Sequence, residues 1–272
     1  MNPSTIALCI GLITAMLLSA GEVARANTLR MGGIGATTML LPHLFEAFEG
    51  SETVKLKVIP SLGSSGGLRA LTDDVLDVAV SGRPLTEQER AAGLKPALSI
   101  RTPFVLVTPH PQPNGLRSTE IADIFKSLRP TWGDGSSIRI ILRPRSDSDT
   151  TALAGMFPGM AAAIETARQR HDIPVAATDQ DNADLAERMP GSLSASTLTQ
   201  IISERRALHV VAIDGIEPSL EALENGTYPY AKTLDFIMSS RPSPHAEAFI
   251  AFLRSSTGQA VMRSKGSVLI PK

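Results

Sequence analysis

Apolar positions along this chain fall into two rhythms, strand-like and helix-like, and the two alternate. Residues 28–31 predict a short strand leading into the loop Gly32-Gly33-Ile34-Gly35-Ala36-Thr37. Met39, Leu40, Leu44, Phe45 and Phe48 then recur at helical spacing. Over residues 54–59 Lys55 and Lys57 alternate with apolar neighbours, the pattern of a second strand. A Gly/Ser loop over 61–67 precedes a helix over 68–71. Residues 76–80 predict a buried strand that ends at Ser81-Gly82-Arg83, and 84–92 a polar helix opened by Pro84. Strand, loop and helix in repeated order predict an α/β fold, a mostly parallel sheet flanked by helices. Ligands of such sheets collect at the C-terminal ends of the strands. The loops after Met31, Ile59 and Val80 all fall on that edge.

The pattern continues with strands over 101–108, 138–142, 171–177, 207–214, 233–238 and 268–270. Helices are expected over 118–125, 159–170, 182–188, 197–204 and 244–254, the last extended by 257–263, with a Pro-Gly-Ser turn inside 189–195. One corner stands out. Arg143-Pro144-Arg145-Ser146-Asp147-Ser148-Asp149-Thr150-Thr151 follows a strand and opens a helix that runs through Gly155. It brings hydroxyls, free backbone N–H groups and two guanidinium groups to a helix N-terminus, which carries unpaired donors and partial positive charge. That combination suits a small anion. A Ser/Asp N-cap with no ligand is the plainer reading.

Composition narrows the classes. An apolar run over 6–18 followed by Ala24-Arg25-Ala26 reads as a secretory signal cut after Ala26, so that the exported, mature chain starts at Asn27. The first five residues lack Lys and Arg, and an uncleaved anchor is the alternative. Cys9 follows Leu8 rather than a small residue, which argues against lipid attachment. As the single cysteine it lies in the leader, so no disulfide is expected. A net charge of -1 offers no footprint for nucleic acid. At 4% aromatic residues the chain is poor in stacking platforms. Gly33-Ile34-Gly35 lacks the third glycine of a dinucleotide loop, and no Gly-x-Ser-x-Gly elbow occurs. The five histidines are scattered without ligand spacing, so neither a metal nor another cofactor is expected.

Taken together, the loops Gly33 to Thr38, Gly63-Ser64-Ser65-Gly66-Gly67 and Arg143 to Thr151 carry a resemblance, with Val80-Ser81-Gly82-Arg83-Pro84-Leu85 and Asn225-Gly226-Thr227-Tyr228-Pro229 in matching order. The chain resembles the periplasmic phosphate-binding proteins of high-affinity phosphate ABC transporters, from about Leu29 to its C-terminus. The resemblance implies the type 2 periplasmic-binding-protein fold. One lobe would be formed by residues 27–104 with 234–272 and the other by 105–233. Two hinge strands would lie near 103–108 and 228–234. It further implies a monomer that holds inorganic phosphate or a related oxyanion between its lobes and delivers it to a permease. The site positions it implies are Ala36, Thr37 and Thr38, then Ser64, Ser65 and Gly66, then Ser81 and Arg83, and finally Ser148, Asp149, Thr150 and either Arg143 or Arg145, with Arg145 preferred.

Two departures bear on selectivity. Asp149 stands where the resemblance expects glycine, and Gly82 where many members carry the carboxylate that accepts the proton on phosphate. Asp147 or Asp149 is the expected substitute acceptor; the plainer role for Asp149 is a helix cap. Arg83 reads either as a second cation in the cleft or as a surface residue, the latter preferred. Other functions stay open: a periplasmic anion sensor, a domain that has lost its ligand, and an exported phosphohydrolase with Ser148 or Thr150 as nucleophile.

Overall fold

The computed structural model describes residues 27–49 and 53–271. The leader expected over 1–26 lies outside the described residues. The strands are β1 (Thr28–Gly33), β2 (Lys55–Ile59), β3 (Val78–Ser81), β4 (Lys95–Thr108), β5 (Arg139–Ile140), β6 (Ser192–Thr197), β7 (His209–Val210), β8 (Ala231–Met238) and β9 (Val268–Leu269). The α-helices are α1 (Leu40–Glu46), α2 (Gly63–Thr72), α3 (Glu87–Ala91), α4 (Ile121–Lys126), α5 (Ser148–Met156), α6 (Met160–Arg168), α7 (Asp179–Arg188), α8 (Leu198–Ser203), α9 (Leu220–Glu224), α10 (Pro244–Arg254) and α11 (Ser256–Ser264). A 3-10 turn, Gly35–Thr37, links β1 to α1.

Strand order along the sheet is β2-β1-β3-β8-β4-β6-β5. Parallel ladders join β1 to β2 and β3, and β5 to β6, whereas β4 and β8 run antiparallel to their neighbours. The fourteen residues of β4 serve two bodies. Up to Pro103 it pairs with β8, and from Phe104 it pairs with β6. The change of partner at one peptide unit marks where the chain crosses from lobe to lobe.

Each lobe buries its own apolar cluster. In the first, Leu29, Met31, Val78, Ile100 and Phe236 of the sheet pack against Leu40, Leu44, Phe249 and Leu253. Rings of Phe45, Phe48, Phe249 and Phe252 interlock there at centroid distances of 5.5–6.2 Å. In the second, Phe104, Leu106, Phe125, Ile140, Leu193 and Tyr228 form the centre. The buried Tyr228 hydroxyl donates to the Phe104 carbonyl (2.9 Å), and burial raises its pKa.

Two expectations are corrected. Residues 63–67 are helical, because α2 begins at Gly63 and buries Ser64, Gly67, Leu68 and Leu71; packing overrides the low helix propensity of glycine. No strand forms over 171–177. Pro174 has no N–H to give, and only a single bridge, Leu142 to Val175, links that segment to the sheet. Pro190 and Gly191 do turn the chain, and the strand β6, which the pattern did not predict, follows them directly. Every residue of β6 is buried although four of the six carry hydroxyls, since Ser192 donates to the Ala186 carbonyl and Ser196 to Gln200, both at 2.9 Å.

Candidate functional site

Three chain corners close on one cleft of about 260 Å³, lined by Gly35, Ser61–Ser65, Arg83, Arg143, Pro144, Ser146–Ser148 and Ala177–Asp179. The first lobe contributes the start of α2. A left-handed Ser61 (φ 61°) and Gly63 (φ 64°) turn the chain from β2 into that helix. Its N-cap residue is Leu62, which has no side-chain acceptor, so the first-turn N–H groups are left uncapped at the cleft wall.

The second lobe contributes two helix starts, and both are capped. Asp147 accepts from Asp149 N–H at the head of α5 (2.8 Å). Thr178 and Asp181 form a capping box at the head of α7. Pro144 bends the chain between β5 and α5 so that Arg143 folds inward. Only 5% of Arg143 is exposed. Its guanidinium donates to the Ala176 carbonyl (2.8 Å) and to Asp147 (2.8 Å), and stands 3.5 Å from Asp179. Arg145 faces the other way. Its side chain is 66% exposed and pairs with Glu165 outside the cleft. The preference for Arg145 is therefore corrected. Of the two, the arginine before the proline enters the cleft and the one after it does not.

The hydroxyls sort by the direction of their hydrogen bonds. A serine oxygen has one proton to give and two lone pairs. Ser64 Oγ accepts from Gly82 N–H (2.9 Å), Ser65 Oγ accepts from Arg83 Nε and Nη2 (3.3 and 3.1 Å), and Ser148 Oγ accepts from Lys232 Nζ (2.9 Å). Among the described residues none of these three donates in return, and all three line the cleft. Thr37 donates to the Ile34 carbonyl (3.0 Å) and Thr150 to the Pro144 carbonyl (2.9 Å), so their protons are taken. Ser81 is spent on a turn, giving to the Arg83 carbonyl and accepting from Arg83 N–H.

Several expected site residues thus stand away from the cleft lining. Ala36 and Thr37 are buried within the 3-10 turn, which presents Gly35 to the cleft instead. Thr38 opens on a different hollow, with His43 and Gln180. Gly66 lies one residue too deep in α2, and Ser81 and Thr150 are held by backbone. Asp149 is neither a cap nor a cleft acceptor. It is buried against Lys232 and points beneath the floor. Arg83, preferred as a surface residue, lines the cleft rim and forms a two-pronged pair with Glu89 (2.7 and 2.9 Å). The Arg83 guanidinium holds the Glu89 carboxyl down at about 2.

Sequence reading missed Lys232 and Asp179. Lys232 sits in a strand whose other residues read as ordinary sheet. Asp179 sits in what the pattern makes a loop before a helix. Burial pushes the Asp179 carboxyl up to about 7, with the Asp149 charge acting the same way. Asp147 is raised too, by burial and then by Asp149. Arg83, Arg143 and Lys232 thus set three cations, and Asp147, Asp149 and Asp179 three carboxylates, at or just beneath one small cleft.

The lobes touch across it. Gln180 Nε2 donates to the Gly35 carbonyl (2.9 Å). A Cβ at Gly35 would stand 2.5 Å from Asp179 Oδ2 and 2.7 Å from Gln180 Oε1. Both are side-chain ends of the opposite lobe, so Gly35→Ala should leave each lobe folded and obstruct their approach. Overpacking of this kind costs about 1–3 kcal/mol, or about five- to hundredfold in affinity for a guest held by closure. Small-angle scattering of the ligand-saturated variant would show a larger radius than that of the parent chain.

Comparison with known proteins agrees with this architecture. Residues 19–257 match a family model described as a PBP superfamily domain. The phosphate-binding protein PstS of Borreliella burgdorferi is 20% identical over 263 residues, 94% of this chain and 94% of that protein. A solved structure from Clostridium perfringens with bound phosphate, assigned as a phosphate ABC transporter substrate-binding protein, superposes with a TM-score of 0.71. It shares 18% identity and covers 90% of this chain and 100% of its own. An ABC-type phosphate transport receptor from Vibrio cholerae gives 0.61 at 16%, over 89% and 100%. A reduced form of OxyR from N. meningitidis gives 0.59 at 11%, over 90% and 100%. Likeness at this level speaks for the fold, and the OxyR match shows that the fold alone does not name a ligand.

Proposed function

The chain belongs to the PBP superfamily, and on that premise we propose that it captures a tetrahedral oxyanion, inorganic phosphate foremost, by closing its two lobes. We take the lobes as residues 27–104 with 234–272 and 105–233, in line with the change of partner along β4 at Pro103 and Phe104. The observation that carries the reading is the direction of the serine hydrogen bonds. Ser64, Ser65 and Ser148 each accept from the protein and keep a proton for the cleft. With the uncapped α2 N-terminus on one side and Arg143 on the other, the cleft offers donors, as a guest made of acceptor oxygens requires.

Closure excludes water, and in the drier cleft fixed dipoles hold charge more strongly. The acceptor that faces the guest is Asp179, not Asp149. A guest bearing a proton can give it to that carboxylate; sulfate has none to give and meets like charge. Relatives named for phosphate binding and phosphate transport support this choice of ligand.

Hydrolysis fits less well. Ser148 sits beside an ammonium rather than a base, and the Thr150 proton is held by backbone carbonyls. We take the protein as a periplasmic, monomeric binding protein that hands its cargo to an ABC permease.

Thermal unfolding of the chain from Asn27 with phosphate, arsenate, sulfate or molybdate tests the reading. At one hundred times Kd a ligand adds about 2.7 kcal/mol. Phosphate and arsenate should raise Tm most. No shift with any of the four would sink the proposal.

A further inference from the structure

Lys232 lies just beneath the floor of this cleft, on a crossing strand. It is 3% exposed and lies opposite Thr102, next to the point where β4 leaves β8 for β6. Its ammonium donates to Ser148 Oγ (2.9 Å) and pairs with Asp149, both in the first turn of α5. It also stands 5.6 Å from the centre of the Phe104 ring on the second crossing strand. Gly82 of the first lobe leaves the room for it. A Cβ there would lie 2.7 Å from Lys232 Cε and 3.0 Å from Ser148 Oγ. One side chain thus touches both lobes and both crossing strands.

An ammonium can only donate. Ser148 Oγ must therefore accept from it, and the serine proton is turned away from Lys232 toward the cleft that Ser148 lines. Without Lys232, the neighbouring carboxylate or amide at 149 could take that proton, and Ser148 would present a lone pair to an anion. Resting on the oxyanion reading above, we infer that Lys232 is a positioning residue for specificity, which acts through Ser148 by reserving its hydroxyl as a donor to the bound anion. Asp149 is its counter-charge, not a ligand group. It keeps the buried ammonium paired where an unpaired charge would be costly.

A double-mutant cycle tests this with phosphate as the probe and calorimetry as the readout. Lys232→Met is combined with Asp149→Asn so that no buried charge is left unpaired, and the pair is crossed with Ser148→Ala. Loss of one hydrogen bond to a charged group weakens binding by about tenfold or more. The pair variant and Ser148→Ala should each show that loss, and the triple variant should lose no more than either, because both changes remove the same donor. Losses that multiply in the triple variant, or phosphate binding unchanged in the pair variant, would overturn the assignment. A second arm covers the case where the pair variant fails to fold. Lys232→Arg keeps a donor-only cation beside Ser148 with Asp149 as its counter-charge, and it should hold phosphate more tightly than Ser148→Ala does. Weakening by the factor seen for Ser148→Ala would count against Lys232. If the parent chain binds none of phosphate, arsenate, sulfate or molybdate, the oxyanion reading itself fails before any variant is made.

Discussion

Arg143→Met is expected to abolish the anion-induced rise in Tm, whereas Arg145→Met is expected to leave it intact. Arg143 is buried in the cleft wall, and its guanidinium is the cation nearest both Asp147 and Asp179. Truncating one partner of a buried, hydrogen-bonded charge pair costs about 2–5 kcal/mol in binding, or about thirtyfold to several-thousandfold in Kd. The fold is expected to survive in part because Asp179 already leans toward its neutral form and can take up a proton when its partner is lost. Arg145 pairs with Glu165 at the exposed surface, where such a pair is worth about 0–1 kcal/mol. Circular dichroism and unfolding of the ligand-free variants separate lost binding from lost fold. Equal loss of binding in both variants would remove Arg143 from the site.

The second large effect is on pH. The Asp179 carboxyl titrates at about 7 in the folded chain, above its ordinary range, because burial disfavours its charge. Between about 4 and about 7 the folded chain therefore keeps a proton that the unfolded chain has released. The stability this gives is complete at the acid end of that window and is lost as pH rises through about 7. The ligand-free Tm should fall between pH 5 and pH 8, and Asp179→Asn should flatten the fall. Asp147, raised for the same reason, adds in the same direction and would leave a residual slope.

Binding follows the same sign. A protonated Asp179 can donate to a fully deprotonated oxyanion, and a charged one repels it. Sulfate affinity should drop by about tenfold between pH 5.5 and pH 8.5. Phosphate keeps at least one proton across that range and should lose less. In Asp179→Asn the two anions should come together. Sulfate binding that is flat with pH in the parent chain would show that Asp179 does not face the guest.

Much of the architecture was legible in the alternation of strand and helix patterns. The apolar faces of β1, β3 and β4 and of α1 and α10 announce themselves because burying a face demands apolar residues at the element's own period. β6 was not legible, since four of its six residues carry hydroxyls and leave no apolar run; Ser192 and Ser196 are buried through hydrogen bonds, while the Ser194 hydroxyl has no partner among the described residues. The start of α2 was hidden by glycines whose weak helix propensity is overruled by contacts with the sheet. At the site, the serines of α2 and Ser148 could be found from the types of residue at a corner. Arg143 could not be told from Arg145, because one peptide bend at Pro144 decides which side chain turns inward.

The amino-acid pattern alone set the α/β class, the three loops on one sheet edge and the kind of chemistry, donors for a small anion, since those depend on local periodicity and residue type. Only the folded chain decided that Asp179 faces the cleft and that Lys232 lies beneath it. These residues stand 36 and 89 positions after Arg143. Their burial, their charge state and the direction of the Ser148 proton all come from contacts between segments far apart in the chain, which no single stretch of sequence contains.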